Sequence, residues 1–267
     1  MKLAAIRYGR LLLGFIALAG IVAFVFQATA RVNECELTFS DNFDGPQLDT
    51  TRWNVEYPSG RTEKQFYAPD AFELSNGRLR IKADVRPQQG YAYTSGMITT
   101  QHTFAQQYGY FEIRAQIPHG QGLWPAFWLL HTGPLPWTEV DVFEILGHDT
   151  HKVYMSNHWR DAASQHQALT QSFTGSDLAE GFHTFAVDWT PGKLDWYIDG
   201  VKRAEATQHV PAEPMFILVN LAVGGQWHGY PDATTRFPAY LDIDYIHVYA
   251  PGCQPPGLTK LINVRPS

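Results

Sequence analysis

Only two cysteines occur among the 267 residues, Cys35 and Cys253, one toward each end, so a framework of several disulfides is excluded. Charged residues are also sparse, at 17%, and the formal balance is −6. That sign argues against nucleic acid or an acidic polymer as partner. Internal repeats, low-complexity tracts and linkers long enough to separate two domains are absent. Helical periodicity is scarce, with Ser176 to Gly181 the one short stretch that could form a helical turn. One apolar run exists, Leu11 to Phe26, and no second run of spanning length follows. The hydrophobic share of 45% excludes a disordered chain and suffices for a substantial core.

The apolar run has the form of an export signal. Lys2, Arg7 and Arg10 precede it, and Ala28-Thr29-Ala30 follows as an A-x-A cleavage site. The run is short of the ~20 residues that span a bilayer, so residues 1–30 read as a signal peptide, with an uncleaved anchor as the alternative. The leader carries three basic residues and no acidic one, so the remaining chain is more acidic still. Export makes a Cys35–Cys253 bridge permissible; two free buried thiols are the other reading. A secreted or periplasmic location is expected. Residues 31–253 read as a single domain, and residues 254–267 as a short Pro-rich tail.

From Leu37 onward, short segments alternate apolar and polar residues. Arg78–Ala83, Gly109–Ala115, Phe182–Trp189 and Lys193–Ile198 are examples. Period-two patterning at this spacing predicts an all-β sandwich or barrel of antiparallel strands. Asp199-Gly200 between two such runs is a hairpin turn signal. The chain is rich in aromatics, with 8 Trp and 13 Tyr. Some must be core, but many indoles also suit a surface that stacks on sugars or other ligands.

The segment Thr138-Glu139-Val140-Asp141-Val142-Phe143-Glu144-Ile145 carries the candidate chemistry. On a regular strand Glu139 and Asp141 share a face, and Glu144 falls on the other. A β-bulge at Val142-Phe143 would shift the phase and return Glu144 to the acidic side. Three carboxyls so close would repel, and at least one pKa would rise. Retaining glycoside hydrolysis needs such a pair, about 5–5.5 Å apart, one ionised as nucleophile and one protonated as acid. Taken alone, E-x-D-x-x-E reads first as a solvated strand face. The apolar neighbours Val140, Val142, Phe143, Ile145 and Leu146 instead imply a central strand, where three unpaired acids would be costly.

This segment resembles the active-site strand of glycoside hydrolase family 16 in its bulged form, as in laminarinases and related bacterial β-glucanases. The likeness runs through nearly all of the chain after the leader: Phe39–Asp44, Glu63–Tyr67, Tyr108–Glu112, Gly122–Leu130, Asn220–Trp227 and Asp242–Tyr249. It implies a β-jelly roll of two curved antiparallel sheets with a substrate cleft on the concave face. By position, Glu139 would be the nucleophile and Glu144 the acid/base. Asp141 would hydrogen-bond the nucleophile and help set both pKa values. His158 matches a family histidine near the acid/base, a buried structural histidine being the alternative. Trp124 and Trp128 would line the glycone side and Trp227 another subsite; Trp137 would close the cleft edge, and Glu63 would accept sugar hydroxyls. Each of these aromatics could instead be core, as Trp189 and Trp196 are expected to be.

The implied activity is secreted endo-hydrolysis of β-1,3- or mixed β-1,3-1,4-glucan by double displacement, with a polysaccharide as the only partner and a monomeric chain. Alternatives are a glycanase for a bacterial exopolysaccharide or a galactan, a transglycosylase, or a non-catalytic polysaccharide-binding protein. Thr138, Arg61-Thr62 and Met97 depart from the residues that many relatives carry there, which leaves the exact glucan open. No cofactor is required. His148–His151 matches no strong metal-ligand spacing and reads as a polar loop. Some relatives hold a structural calcium on the convex side; Asp41, Gly77 and Asp242 or Asp244 are the positions such an ion would need.

Overall fold

Sixteen strands and no helix make up the described part of this computed structural model, residues 35–55, 62–134, 137–253 and 255. The leader lies outside these residues, as does the tail apart from Pro255. The strands in chain order are β1 (Leu37–Asp41), β2 (Gln65–Tyr67), β3 (Phe72–Leu74), β4 (Leu79–Ala83), β5 (Tyr93–Ser95), β6 (Met97–Thr99), β7 (Gly109–Gln116) and β8 (Leu123–His131). There follow β9 (Thr138–Ile145), β10 (Lys152–Arg160), β11 (His166–Thr174), β12 (His183–Thr190), β13 (Lys193–Ile198), β14 (Val201–Ala206), β15 (Met215–Val223) and β16 (Ala239–Tyr249).

Two antiparallel sheets stack as a jelly-roll sandwich. One runs β14-β13-β12-β7-β16-β4-β3, with β1 also on β16; the other runs β11-β10-β9-β8-β15-β6. A small parallel pair, β2 with β5, stands apart from both. The expected all-β architecture is therefore present, with this pair as an addition to the two main sheets. The stretch Ser176 to Gly181 forms no helix. It is a turn in which Asp177 Oδ1 accepts the Ala179 N–H at 2.9 Å and the Thr150 hydroxyl at 2.6 Å.

Alternation decides which residues meet between the sheets. Phe111, Ile113, Val187, Trp189 and Trp196 point inward from the eight-stranded sheet; Phe127, Leu129, Val140, Ile217 and Val219 meet them from the six-stranded one, and all are buried. The β13–β14 hairpin pairs Ile198 with Val201 around Asp199-Gly200, whose φ angles of 50° and 71° are those of a type I′ turn. Cys35 and Cys253 form a disulfide beside β1 and β16, closing a separation of 218 residues.

Candidate active site

Strand β9 lies between β8 and β10, and its pairing with both breaks at one place. On β8 the consecutive residues Phe127 and Trp128 face Phe143 and Asp141, so Val142 has no opposite number. On β10 Tyr154 faces Glu144 and Ser156 faces Asp141, so three steps along β9 match two on its partner. This is a β-bulge at Val142-Phe143, where the sequence required one. Its cause is visible in the burial: Val140, Val142, Phe143 and Ile145 are all in the core. Phe143 packs on Phe185 of the opposite sheet at 4.5 Å between ring centroids. Two adjacent apolar side chains can both reach the core only if the strand gains half a turn of phase. Glu139, Asp141 and Glu144 are thereby left on the outer face. The bulge leaves the Asp141 carbonyl to a partner outside the ladder, and Trp196 Nε1 donates to it at 2.9 Å.

Asp141 is 3% exposed, and its Oδ2 lies 2.8 Å from Nε2 of His158. One carboxylate oxygen of Glu139, one of Asp141 and one ring nitrogen of His158 lie within 4.8 Å of one another. Burial raises the Glu144 pKa well above the usual carboxylate range. The nearby charges of Asp141 and Glu139 push it the same way, while an indole hydrogen bond from Trp124 pulls against them. For His158, burial lowers the pKa, but the hydrogen bond to Asp141 and the charges of Asp141 and Glu139 outweigh it, and the net shift is upward.

Aromatic residues extend the same face on both sides of the acids. Trp124 and Trp128 are half-buried on β8, on the face opposite the core residues Phe127 and Leu129. Trp124 sits edge-on to Trp227 at 5.2 Å, and its ring also meets His228 at 4.7 Å. Trp227, 44% exposed, in turn meets Tyr154 at 5.1 Å. Trp128 donates its Nε1 hydrogen to Asn220 Oδ1 at 2.8 Å and packs against Tyr67, Met97, Phe216 and Leu218, which form an apolar floor. Trp137 stands at the other end, edge-on to His158 and His166. Beyond Leu130, the β8 residue opposite Glu139, a cavity of about 530 Å³ opens among Phe104, His131, Gly133 and Phe216. Glu63 accepts the Thr62 N–H at 3.1 Å, and its charge acts on His228, whose pKa burial lowers to about 4.

The structure thus gathers Glu139, Asp141, Glu144 and His158, and flanks them with Trp124, Trp128, Trp227 and Trp137. Trp189 and Trp196 are fully buried. The residues that sequence reasoning did not single out are Asn220, Tyr154, His228 and His166. Asn220 had a signal, since it is the one polar residue in the strand Met215–Val223.

A sequence model of glycosyl hydrolases family 16 matches residues 33–246. The chain belongs to this family. Among its relatives is the endo-1,3-1,4-beta-glycanase ExsH of Rhizobium meliloti (strain 1021), 38% identical over 80% of this chain and 51% of that protein. The beta-glucanase of Rhodothermus marinus is 33% identical over 80% of the chain and 85% of its own length. The chain spans about half the length of ExsH and of a second endo-1,3-1,4-beta-glycanase of the same organism, EglC. The laminarinase catalytic domain of Thermotoga maritima MSB8 superposes with a TM-score of 0.73 at 33% identity, covering 81% of this chain and 98% of that domain.

The three aspartates that a family-type calcium would use are held by other groups. Asp41 accepts the Phe43 N–H and the Trp53 indole N–H, each at 2.8 Å. Arg80 Nε holds Asp242 at 2.7 Å, and Arg114 pairs with Asp244. Guanidinium groups hold Asp242 and Asp244, so these two carboxylates are not free to serve a cation. The His148–His151 loop is a polar turn, in which His151 Nδ1 lies 3.1 Å from the Gly175 carbonyl.

Proposed function

We propose that this family 16 chain is a retaining endo-glycoside hydrolase of β-1,3- or mixed β-1,3-1,4-glucan, with Glu139 as nucleophile and Glu144 as acid/base. The observation that carries the proposal is the bulge: it turns both glutamates to one face, where burial and the neighbouring acids raise the pKa of Glu144. Glu144, whose raised pKa favours the protonated form, gives its proton to the glycosidic oxygen as the Glu139 carboxylate attacks the anomeric carbon. The C–O bond breaks, the shortened chain leaves with the Glu144 proton, and a glycosyl ester remains on Glu139. Glu144, now a carboxylate, takes a proton from water as the water oxygen attacks the same carbon. Configuration is retained, Glu139 is released, and Glu144 is protonated again. Asp141, between the two, steadies the nucleophile and, through its charge, keeps Glu144 protonated. Trp124, Trp128 and Trp227 offer indole faces to glucose rings, with Trp137 at the far edge and Glu63 as a hydroxyl acceptor.

The disulfide supports export into an oxidising compartment and a secreted or periplasmic site of action. A second reading is a glycanase for another β-linked polymer such as a bacterial exopolysaccharide. It is favoured by Met97, which forms part of the apolar floor where many relatives place an arginine. Product analysis on laminarin, mixed-linkage glucan and an exopolysaccharide separates these readings, and added acceptor sugars expose transglycosylation. Glu139→Ala and Glu144→Gln variants should bind glucan without cutting it; undiminished turnover in either would end the proposal.

A further inference from the structure

The outer face of β10 and β11 carries a second histidine in line with the first. His158 pairs with Ala168 across the two strands, and Arg160 pairs with His166. His158 and His166 are therefore diagonal neighbours on one face. Nε2 of His158 points to Asp141 Oδ2 at 2.8 Å, while its Nδ1 lies 3.0 Å from Nε2 of His166. The two imidazole planes differ by 10°, so the rings are nearly coplanar, as an in-plane N–H···N bond requires. His166 is also held in place. Asp161 Oδ1 accepts the N–H groups of Ala163 and Gln165, both at 2.9 Å, and Arg160 donates to the Ser164 carbonyl at 2.8 Å. The turn leading into His166 is braced, and the edge of Trp137 closes on the ring from the side at 5.6 Å.

Two nitrogens that face each other at 3.0 Å can share only one hydrogen. The other nitrogen of His158 faces a carboxylate and must carry a hydrogen as well. Two arrangements satisfy both contacts: a neutral His158 that accepts a hydrogen from His166 at Nδ1, or a doubly protonated His158 that donates one to a neutral His166; the carboxylates of Asp141 and Glu139 beside His158 favour the second. We propose that His166 is a positioning residue for cleavage: its Nε2 accepts the Nδ1 hydrogen of His158 and thereby holds the His158 Nε2–H on Asp141, between the two glutamates. The ionisable groups around the pair agree. Asp141 and Glu139 on β9 favour the cation on His158. Burial, the His158 charge and Arg160 all lower the pKa of His166 and keep it the neutral partner. On acidification His166 gains its own proton, two N–H groups then confront each other, and the contact opens.

The inference rests on the two-glutamate reading, but its main test does not need turnover. The His158 ring is titrated by NMR in the unaltered chain and in the His166→Ala and His166→Gln variants. His166→Ala should shift the His158 titration downward, because an acceptor for the imidazolium is lost. His166→Gln, whose side-chain oxygen can accept the same hydrogen, should restore most of it. In kinetics His166→Ala should lower kcat about fivefold, the scale of one hydrogen bond, with KM nearly unchanged. An unchanged His158 titration in His166→Ala would overturn the proposal. A rise in KM alone would also overturn it, since that would make His166 a sugar contact. Should Glu139→Ala still cleave while His158 responds as expected, the two-glutamate reading fails and the histidine pair stands.

Discussion

The indole nitrogen of Trp196, on β13 of one sheet, hydrogen-bonds the main-chain oxygen of Asp141 at the bulge of the other sheet, at 2.9 Å. A bulge removes a carbonyl from the ladder, and a buried carbonyl without a partner costs about 1–3 kcal/mol. Trp196 removes that cost and holds open the phase shift that brings Glu144 to Glu139. Trp196→Phe keeps an aromatic ring but loses the donor and some volume. It should destabilise the fold by about 2–4 kcal/mol in denaturant titration. At a temperature where the variant remains folded, kcat should fall with KM little changed, because the misplaced group is Glu144 rather than a sugar contact.

Glu144 couples activity to stability through its raised pKa. The folded chain binds its proton more tightly than the unfolded chain does. The linked stability is therefore complete below the ordinary carboxylate pKa and is lost as pH climbs through the raised one. Glu144→Gln removes this loss, so its Tm should exceed that of the unaltered chain near neutral pH and approach it in acid. Turnover in the same variant should drop by at least about 100-fold. A Tm at neutral pH lower than that of the parent would contradict the account.

Asp141 supplies one of the charges that keep Glu144 protonated, after burial itself. Asp141→Asn removes that charge while keeping the shape. The alkaline limb of the kcat/KM profile, where the acid/base loses its proton, should move to lower pH. Burial persists in the variant, so the limb should remain above the ordinary glutamate range. An unmoved limb would assign that ionisation to another group.

The bulge was legible in the sequence because the alternation rule fails visibly there: with Val142 inward, Phe143 can be buried only by breaking phase, and Glu144 follows. The hairpin at Asp199-Gly200 and the shared face of Trp124 and Trp128 were legible for the same reason, since period and turn chemistry are local. Partners were not legible. Nothing in the order of residues says that Trp196 binds a carbonyl 55 positions earlier, or that Asn220 holds the Trp128 indole 92 positions away. Nor does it mark His166, whose contact with His158 depends on the β10–β11 register. Pattern reports which face a side chain takes; register and sheet stacking decide what it meets there.

Trp227 and Trp128 should separate in a binding experiment. Trp227 is 44% exposed and has little packing to lose. Trp227→Ala should raise KM several-fold, the effect of one lost stacking contact of about 1 kcal/mol, and leave Tm nearly unchanged. Trp128 is tied to Asn220 and to the apolar floor, so Trp128→Ala should raise KM and also lower Tm by several degrees. Equal Tm losses in the two variants would mean that Trp227 is a structural residue.

The Cys35–Cys253 bridge spans 218 residues, and a crosslink that closes so long a loop restricts the unfolded chain most. In the chain-entropy model its removal costs about 5 kcal/mol. The bridge lies beside β1 and β16 of the eight-stranded sheet, whereas the acids stand on β9 of the six-stranded one. The double variant Cys35→Ser/Cys253→Ser should therefore unfold at markedly lower temperature while its kcat and KM at 20–25 °C stay within about twofold of the parent, the spread expected for a site remote from the change. Reduction of the unaltered chain with dithiothreitol should reproduce the fall in Tm and have no further effect on the variant. A loss of activity at temperatures where the variant is fully folded would mean that closure of the chain ends is transmitted to the cleft strands, and the bridge would then be part of the catalytic scaffold rather than a clamp on the unfolded state.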